Sequence, residues 1–200
     1  PYEMPAQPEV EGIGEDGSSF VVRRSSRSDQ RTSSRTWPKI SIVTPSYNQG
    51  QFIEETIRSV LLQGYPNLEY IVIDGGSDDG SVEIIKKYEP WLAYWVSEED
   101  RGQSHAINNG FERATGEIMA WLNSDDTYLP ATLTRTMEAL RKHDQVGLIF
   151  GSAMFIDENS KEINIYKGID RPFFQKLQYW RGWNVPQPTL FFRKRVFDRV

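Results

Sequence analysis

The chain contains no cysteine. That excludes a disulfide framework, a thiolate metal site and a thiol nucleophile. It also leaves the compartment open, with a reducing cytoplasm compatible. No apolar run approaches the roughly 20 residues that cross a bilayer, and no signal-peptide pattern is visible. A basic excess is missing too: the formal net charge is −5, which argues against a general nucleic-acid binder. No internal repeat or low-complexity array follows residue 36. What remains is 200 residues, 38% hydrophobic and 12% aromatic, a globular composition. That length buries one sizeable core, most simply as one domain. The chain starts at Pro1 rather than Met, so a fragment of something longer is expected.

Residues 1–36 differ from the rest. Prolines and glycines come first, then a Ser/Arg-rich stretch from Arg23 to Arg35. Its apolar surface is too small to offset ordering entropy, so a flexible polar segment is expected. A basic tether to an anionic lipid or a phosphorylated partner is the alternative. From Trp37 the pattern turns regular. Ile40, Ile42 and Val43 predict a strand stopping at Pro45, and Phe52 to Leu61 a helix ended by Gly64 and Pro66. Tyr70 to Ile73 predicts a strand, Gly80 to Tyr88 a helix, Leu92 to Val96 a strand, Ser104 to Ala114 a helix and Glu117 to Leu122 a strand. Such alternation predicts a parallel α/β sheet flanked by helices, with ligands bound beyond the carboxyl ends of its strands. Leu148–Phe150, Met154–Ile156 and Ile163–Tyr166 read as short strands, some antiparallel.

Polar residues follow every one of those strands. Thr44 to Gly50 follows the first, Asp74 to Gly80 the second, Glu98 to Gln103 the third and Asn123 to Asp126 the fourth. In a parallel sheet these four loops converge on one edge. Asp125 and Asp126 stand out because adjacent like charges resist desolvation. They persist most naturally beside a cation, and oxygen ligands suit Mg²⁺ or Mn²⁺ held against a substrate's phosphates. A turn that caps a helix beginning near Pro130 is the competing reading. Tyr47 is able to stack on a planar base or to pack in the core. Asp74 can accept hydrogen bonds from a base or ribose, or serve as a turn residue. Gly75, Gly76 and Gly80 let a ligand approach the backbone. Asp78 and Asp79 read as turn and cap residues. Asp100 and Arg101 are either an exposed loop pair or part of the site. His105 and His143 read as structural and solvated, respectively. The tryptophans read mostly as core, with Trp180 and Trp183 the candidates for stacking on a sugar face.

Ile40 to Asn48, Ile71 to Ser81, Ser104 to Gly116 and Glu117 to Asp126 resemble, in order and spacing, the family 2 glycosyltransferases. The resemblance covers residues 38–200. It implies a GT-A fold: a Rossmann-like, mainly parallel sheet with flanking helices and a smaller mixed acceptor-side part. The nucleotide-binding half would span about 37–127 and the acceptor-side half about 128–200, truncated at the C-terminus. It also implies inverting transfer from a nucleotide sugar, often UDP-linked, to a carbohydrate or lipid-linked acceptor, with Mg²⁺ or Mn²⁺. By position, Thr44, Pro45, Tyr47 and Asn48 line the nucleoside pocket and Asp74 contacts base or ribose. Asn123 and Ser124 join them on the nucleotide, and Asp125, with Asp126 beside it, becomes the metal ligand; Asp100, in the loop after the third strand, is also expected on the nucleotide, from its place at the strand ends. In two places the chain departs from the family. Asn123 takes the first acidic place of the Asp-x-Asp motif, and Gly75 stands where many members carry a second Asp. The catalytic base is typically an Asp or Glu in the acceptor half. Trp180 to Thr189 contains none, and Asp198 sits in an expected terminal helix, so the base is expected beyond Val200. The expected location is the cytoplasm, with membrane association through a partner or acceptor left open. A sugar nucleotidyltransferase and a nucleotide-sugar-binding module without catalysis are the alternatives. A dinucleotide-binding dehydrogenase is disfavoured, because no G-x-G-x-x-G follows the first strand.

Overall fold

The computed structural model describes residues 10–13, 19–22, 37–168 and 185–198. Pro1–Trp37 and Pro38–Val200 are separate compact units. In the first, β1 (Val10–Ile13) and β2 (Ser19–Val22) form an antiparallel hairpin with Val10 opposite Val22. The expected flexible segment therefore contains a local pairing. Val10, Ile13, Phe20, Val21 and Val22 are strand formers that the surrounding Gly, Pro and Ser residues mask in a compositional reading.

The second unit is built on one six-stranded sheet. Its elements are β3 (Ile40–Ser46), α1 (Ile53–Leu61), β4 (Leu68–Asp74), α2 (Ser81–Tyr88), a short 3₁₀ turn (Glu89–Trp91), β5 (Tyr94–Ser97), α3 (Gln103–Arg113) and β6 (Ile118–Trp121). These are followed by α4 (Thr132–Lys142), β7 (Leu148–Ile149), β8 (Ala153–Ile156), β9 (Glu162–Tyr166), a 3₁₀ turn (Gln187–Thr189), β10 (Phe191–Arg193) and α5 (Lys194–Phe197). The sheet runs β5-β4-β3-β6-β10-β7. The first four strands are mutually parallel, and β10 is antiparallel to both of its neighbours. β8 and β9 pair apart from the sheet as an antiparallel hairpin.

The expected parallel α/β sheet is present, and burial explains why. Every residue of β3 is buried, as are six of the seven in β4. Helices cover both faces of such a sheet, so its strands read as continuous apolar runs. α1 buries Ile53, Ile57 and Val60, and α3 buries Ala106, Gly110 and Phe111. A methyl group on Gly110 would overlap the Val43 side chain; its absence lets α3 lie directly on β3.

Several boundaries differ from expectation. β3 continues through Pro45, which stands opposite Ile73. β5 starts at Tyr94 because Glu89–Trp91 extends the preceding helical segment. α4 starts at Thr132, with Ala131 at its N-cap in the left-handed region at φ 62°. β10 was not legible as a strand: Phe191 and Phe192 are buried between β6 and β7 by long-range pairing.

The amino end of the sheet is tied by Glu69. Its carboxylate accepts hydrogen bonds from Ser41 Oγ, from Thr115 N (2.7 Å) and Oγ1 (2.6 Å), and from Lys39 Nζ (3.1 Å). Burial alone would push this carboxyl up, but the Ser41, Thr115 and Lys39 hydrogen bonds outweigh it and hold the group at about 2. The folded value lies below the ordinary one, so the stability that Glu69 contributes is present above pH 4.5 and is lost as pH falls through about 2. Glu69→Gln is expected to destabilise the chain by about 1–3 kcal/mol at pH 7 and to flatten the acid limb of its stability curve. Denaturant melts of both forms at pH 7 and pH 3 check this, and parallel acid limbs would refute it.

Candidate functional site

A fork between β3 and β6 creates the main cleft. The β3–β6 ladder ends where Leu122 N donates to Val43 O (2.9 Å). On its other side β3 stays paired with β4 as far as Ser46, whose carbonyl accepts from Gly75 N (2.8 Å). Backbone polar groups alternate along a strand, so Pro45 turns its missing N–H toward β6, which has already departed. The proline costs no ladder bond there. In chain order these four strands lie 3-2-1-4, and the fork is the switch point at which such sheets bind ligands. A cleft of about 690 Å³ opens at this point. Pro45, Ser46 and Tyr47 line it from the first loop, Gly75 and Gly76 from the second, Glu99 and Asp100 from the third, and Asn123, Ser124 and Asp125 from the fourth. The four loops do converge.

Three of the expected nucleoside residues do not line the cleft. Thr44 is fully buried and its hydroxyl bonds with that of Tyr70 (3.0 Å). Asn48 staples two loops, since its N donates to Ser77 Oγ (2.8 Å) and its Oδ1 accepts from Asp78 N (3.1 Å). Asp74 is 0% exposed. Its Oδ2 accepts from Gly76 N (3.1 Å), Ser77 N (2.9 Å) and Ser97 Oγ (2.7 Å), and its Oδ1 from Ser77 Oγ (2.6 Å). A carboxylate so enclosed has no face toward the cleft, and the expected contact of Asp74 with base or ribose is corrected accordingly: it shapes the loops after β4 and β5. Asp79 keeps its turn role, accepting from Gly50 N (2.7 Å) and from Ser81 N (3.1 Å). By contrast Tyr47 is 63% exposed at the cleft, where a core residue would not be.

The carboxylate turn is held from α1. Thr56 Oγ1, fully buried, lies 2.9 Å from the Ser124 carbonyl and 2.8 Å from that of Asp126. Ser59 Oγ accepts from Tyr128 N (3.1 Å), and Gln63 bonds to Leu129 O (3.1 Å) and Leu133 N (3.2 Å). These residues were missed in the sequence, although Thr56 and Ser59 are three apart on α1 and Gln63 follows in the turn after it. Gln103 was missed as well; its Nε2 donates to Asn123 Oδ1 (2.9 Å). Asp126 N closes a turn onto Asn123 O (3.1 Å), but no side chain caps α4, so the helix-capping reading of the pair is corrected. His105 Nδ1 accepts from Arg101 N (3.4 Å), and Trp121 packs edge-on against Phe111. Trp180 and Trp183 lie outside the described residues.

Burial first, and then the Asp125 charge, raise the Asp126 carboxyl to about 6 against an opposing hydrogen bond from Asn123. Two adjacent carboxylates with hard oxygen donors fit a divalent cation. Among the described residues no group of three or more His, Asp or Glu side chains gathers at one point. A second cleft of about 620 Å³ shares Asn123 and Asp125 with the first, and its walls include Tyr128, Leu129, Phe155, Gln187 and Phe191.

A family model for glycosyl transferase family 2 matches residues 41–200. The chain belongs to this family. It is 31% identical over 172 residues to an uncharacterised glycosyltransferase of Nostoc sp., covering 81% of this chain and 53% of that protein. It is 38% identical over 104 residues to a putative teichuronic acid biosynthesis glycosyltransferase of Bacillus subtilis, covering 50% and 41%. Solved structures share its fold: a mannosyltransferase from Pyrobaculum calidifontis, solved with GDP-Man and Mn²⁺, superposes with a TM-score of 0.61 at 23% identity over 82% of this chain and 47% of that one. Staphylococcus aureus TarS, solved with UDP-GlcNAc, gives 0.59 at 22% identity over 80% and 47%. The fold is therefore GT-A, and the family 2 chain spans about half the length of the relatives it matches.

The raised Asp126 value carries a testable cost. The folded state holds this proton more tightly than the unfolded one, so stability falls as pH rises from about 4 to about 6 and stays lower above that. In metal-free buffer Asp126→Asn is expected to stabilise this family 2 chain by about 1–2 kcal/mol at pH 7.5 and by nothing measurable at pH 4. Denaturant melts at the two pH values decide it, and a destabilised variant at pH 7.5 would overturn the reading.

Proposed function

We propose that the chain forms the donor-binding part of a glycosyltransferase that moves a sugar from a nucleoside-diphosphate sugar, UDP-linked by preference, to an acceptor hydroxyl with inversion. One observation carries the proposal: two clefts meet at Asn123 and Asp125, at the switch point of a parallel sheet. The base would lie against Tyr47, the diphosphate would run toward Asp125 and Asp126, and the sugar would reach the junction. The acceptor, a carbohydrate or a lipid-linked sugar, would enter by the second cleft. Ser46 Oγ in the first cleft wall and Gln187 Oε1 in the second are buried without a partner among the described residues, and each is free for a polar ligand. The complexes of the fold neighbours with UDP-GlcNAc and with GDP-Man and Mn²⁺ support the donor class.

Asp125 and Asp126 would hold Mg²⁺ or Mn²⁺, which when bound supplies positive charge beside the departing diphosphate. Asn123 contributes one charge fewer than the acid of the usual motif, and Gln103 fixes its amide at the cleft. Among the described residues of the second cleft, Asp125 and Asp126 are the sole carboxylates. No separate base is assigned there, which favours a second reading: a nucleotide-sugar-binding module without catalysis. Polysaccharide or glycoconjugate synthesis is the setting supported by the Bacillus subtilis relative. No described helix is long and apolar enough to cross a membrane. The cytoplasm, with membrane contact through the acceptor, remains part of the proposal.

Calorimetric titration with UDP, GDP and dTDP, with and without Mn²⁺, tests the reading. Binding of at least one is expected, strengthened by Mn²⁺, with the Mn²⁺ effect reduced about tenfold or more by Asp125→Ala. No binding of any of the three would overturn it.

A further inference from the structure

With Asp74 enclosed, some other group must read the base if a nucleotide lies against Tyr47. Gly75 shows where to look. An ideal Cβ at residue 75 would sit 3.2 Å from Asp100 Oδ2 and 3.3 Å from Tyr47 Cδ2. The space beside this glycine is thus already bounded by a carboxylate and an aromatic ring, both lining the first cleft. Asp100 Oδ1 accepts the Gly102 N–H (2.6 Å), which fixes the side chain, while its Oδ2 has no hydrogen-bond partner among the described residues. The two loops are held together from below. Ser97 Oγ bonds to Asp74 Oδ2 (2.7 Å), and Glu98 N donates to Asp74 O (3.0 Å). A Cβ at Gly76 would stand 3.3 Å from Glu99 N, so its backbone, at φ 82°, lies close against the Asp100 loop.

We propose that Asp100 is the carboxylate that reads the nucleobase stacked on Tyr47, and that it selects bases presenting a ring N–H beside a carbonyl. An ionised carboxylate only accepts hydrogen bonds. Uracil and thymine offer N3–H and guanine offers N1–H with its amino group, whereas cytosine presents an acceptor at N3 and adenine an acceptor at N1. Asp100 therefore favours the first three and repels the lone pair of the others. In this chain the acid reaches the base pocket from the loop after β5, across a glycine, instead of from residue 75. The inference rests on the nucleotide-sugar reading and deepens it.

Asp100→Asn tests it, because asparagine keeps an oxygen for the Gly102 N–H and presents an amide N–H to the base. Calorimetry with UDP, GDP and CDP on the full chain is expected to show the wild type preferring UDP or GDP over CDP by about tenfold or more. In Asp100→Asn the UDP-to-CDP preference is expected to fall by about tenfold or more. An unchanged preference in the variant, or a wild type that binds all three alike, overturns the role of Asp100 and leaves the donor-site reading standing. A wild type that binds none overturns that reading itself. If Asp100→Asn lowers the unfolding temperature, Gly75→Asp placed on Asp100→Ala returns a carboxylate to the same space. That variant is expected to recover the UDP preference lost in Asp100→Ala, and no recovery overturns the proposal.

Discussion

The fork between β3 and β6 is the constraint on which the rest of the site depends. Both strands are buried and parallel up to the bond between Leu122 N and Val43 O, and beyond it they part. β3 runs on beside β4 through a proline that has no donor to lose on the open side. The chain beyond β6 turns at Asn123 and is captured by Thr56 of α1. Each strand thus delivers its polar loop to the same gap from a different side. The second cleft begins where the first ends because a single turn, Asn123 to Asp126, forms the wall between them.

Around this fork, fully buried polar groups set the loop positions. Asp74 and Thr56 are both 0% exposed, and both spend their hydrogen-bonding capacity on backbone or hydroxyl partners. A buried carboxylate is tolerable only when its lone pairs are occupied; at Asp74, four hydrogen bonds satisfy that condition. The same bonds lock the β4 and β5 loops into one unit, so the ring of Tyr47 and the carboxylate of Asp100 face the same space beside Gly75. At the carboxylate turn the balance differs. Asp126 is desolvated and faces a like charge, and its raised value is a stability cost kept at the place where a cation would relieve it.

The architecture was legible because burial on two faces writes short apolar stretches into β3, β4 and β6, and because each stretch ends in a polar loop. The gathering of those loops followed from parallelism alone. What the sequence did not disclose depends on long-range partners. β10 becomes a strand only because β6 and β7 offer open edges to Phe191 and Phe192. Asp74 looks like a ligand-binding acid at a strand end until Ser97, 23 residues away, is seen to occupy it. Thr56, Ser59 and Gln63 read as the polar margin of an amphipathic helix, yet they bind a segment 66 to 70 residues further on. Asp100 was readable as a site residue, but the space that gives it a partner at Gly75 exists only in three dimensions.

In the proposed complex one nucleoside diphosphate spans this fork, with its phosphates at the carboxylate turn. A crystal structure with UDP and Mn²⁺, read through the anomalous signal of manganese, tests that most directly. A manganese peak is expected at about 2.2 Å from a carboxylate oxygen of Asp125 or Asp126, with diphosphate oxygens completing its shell and the base against Tyr47. A nucleotide bound outside the β3–β6 gap, or manganese held by other residues, would contradict it.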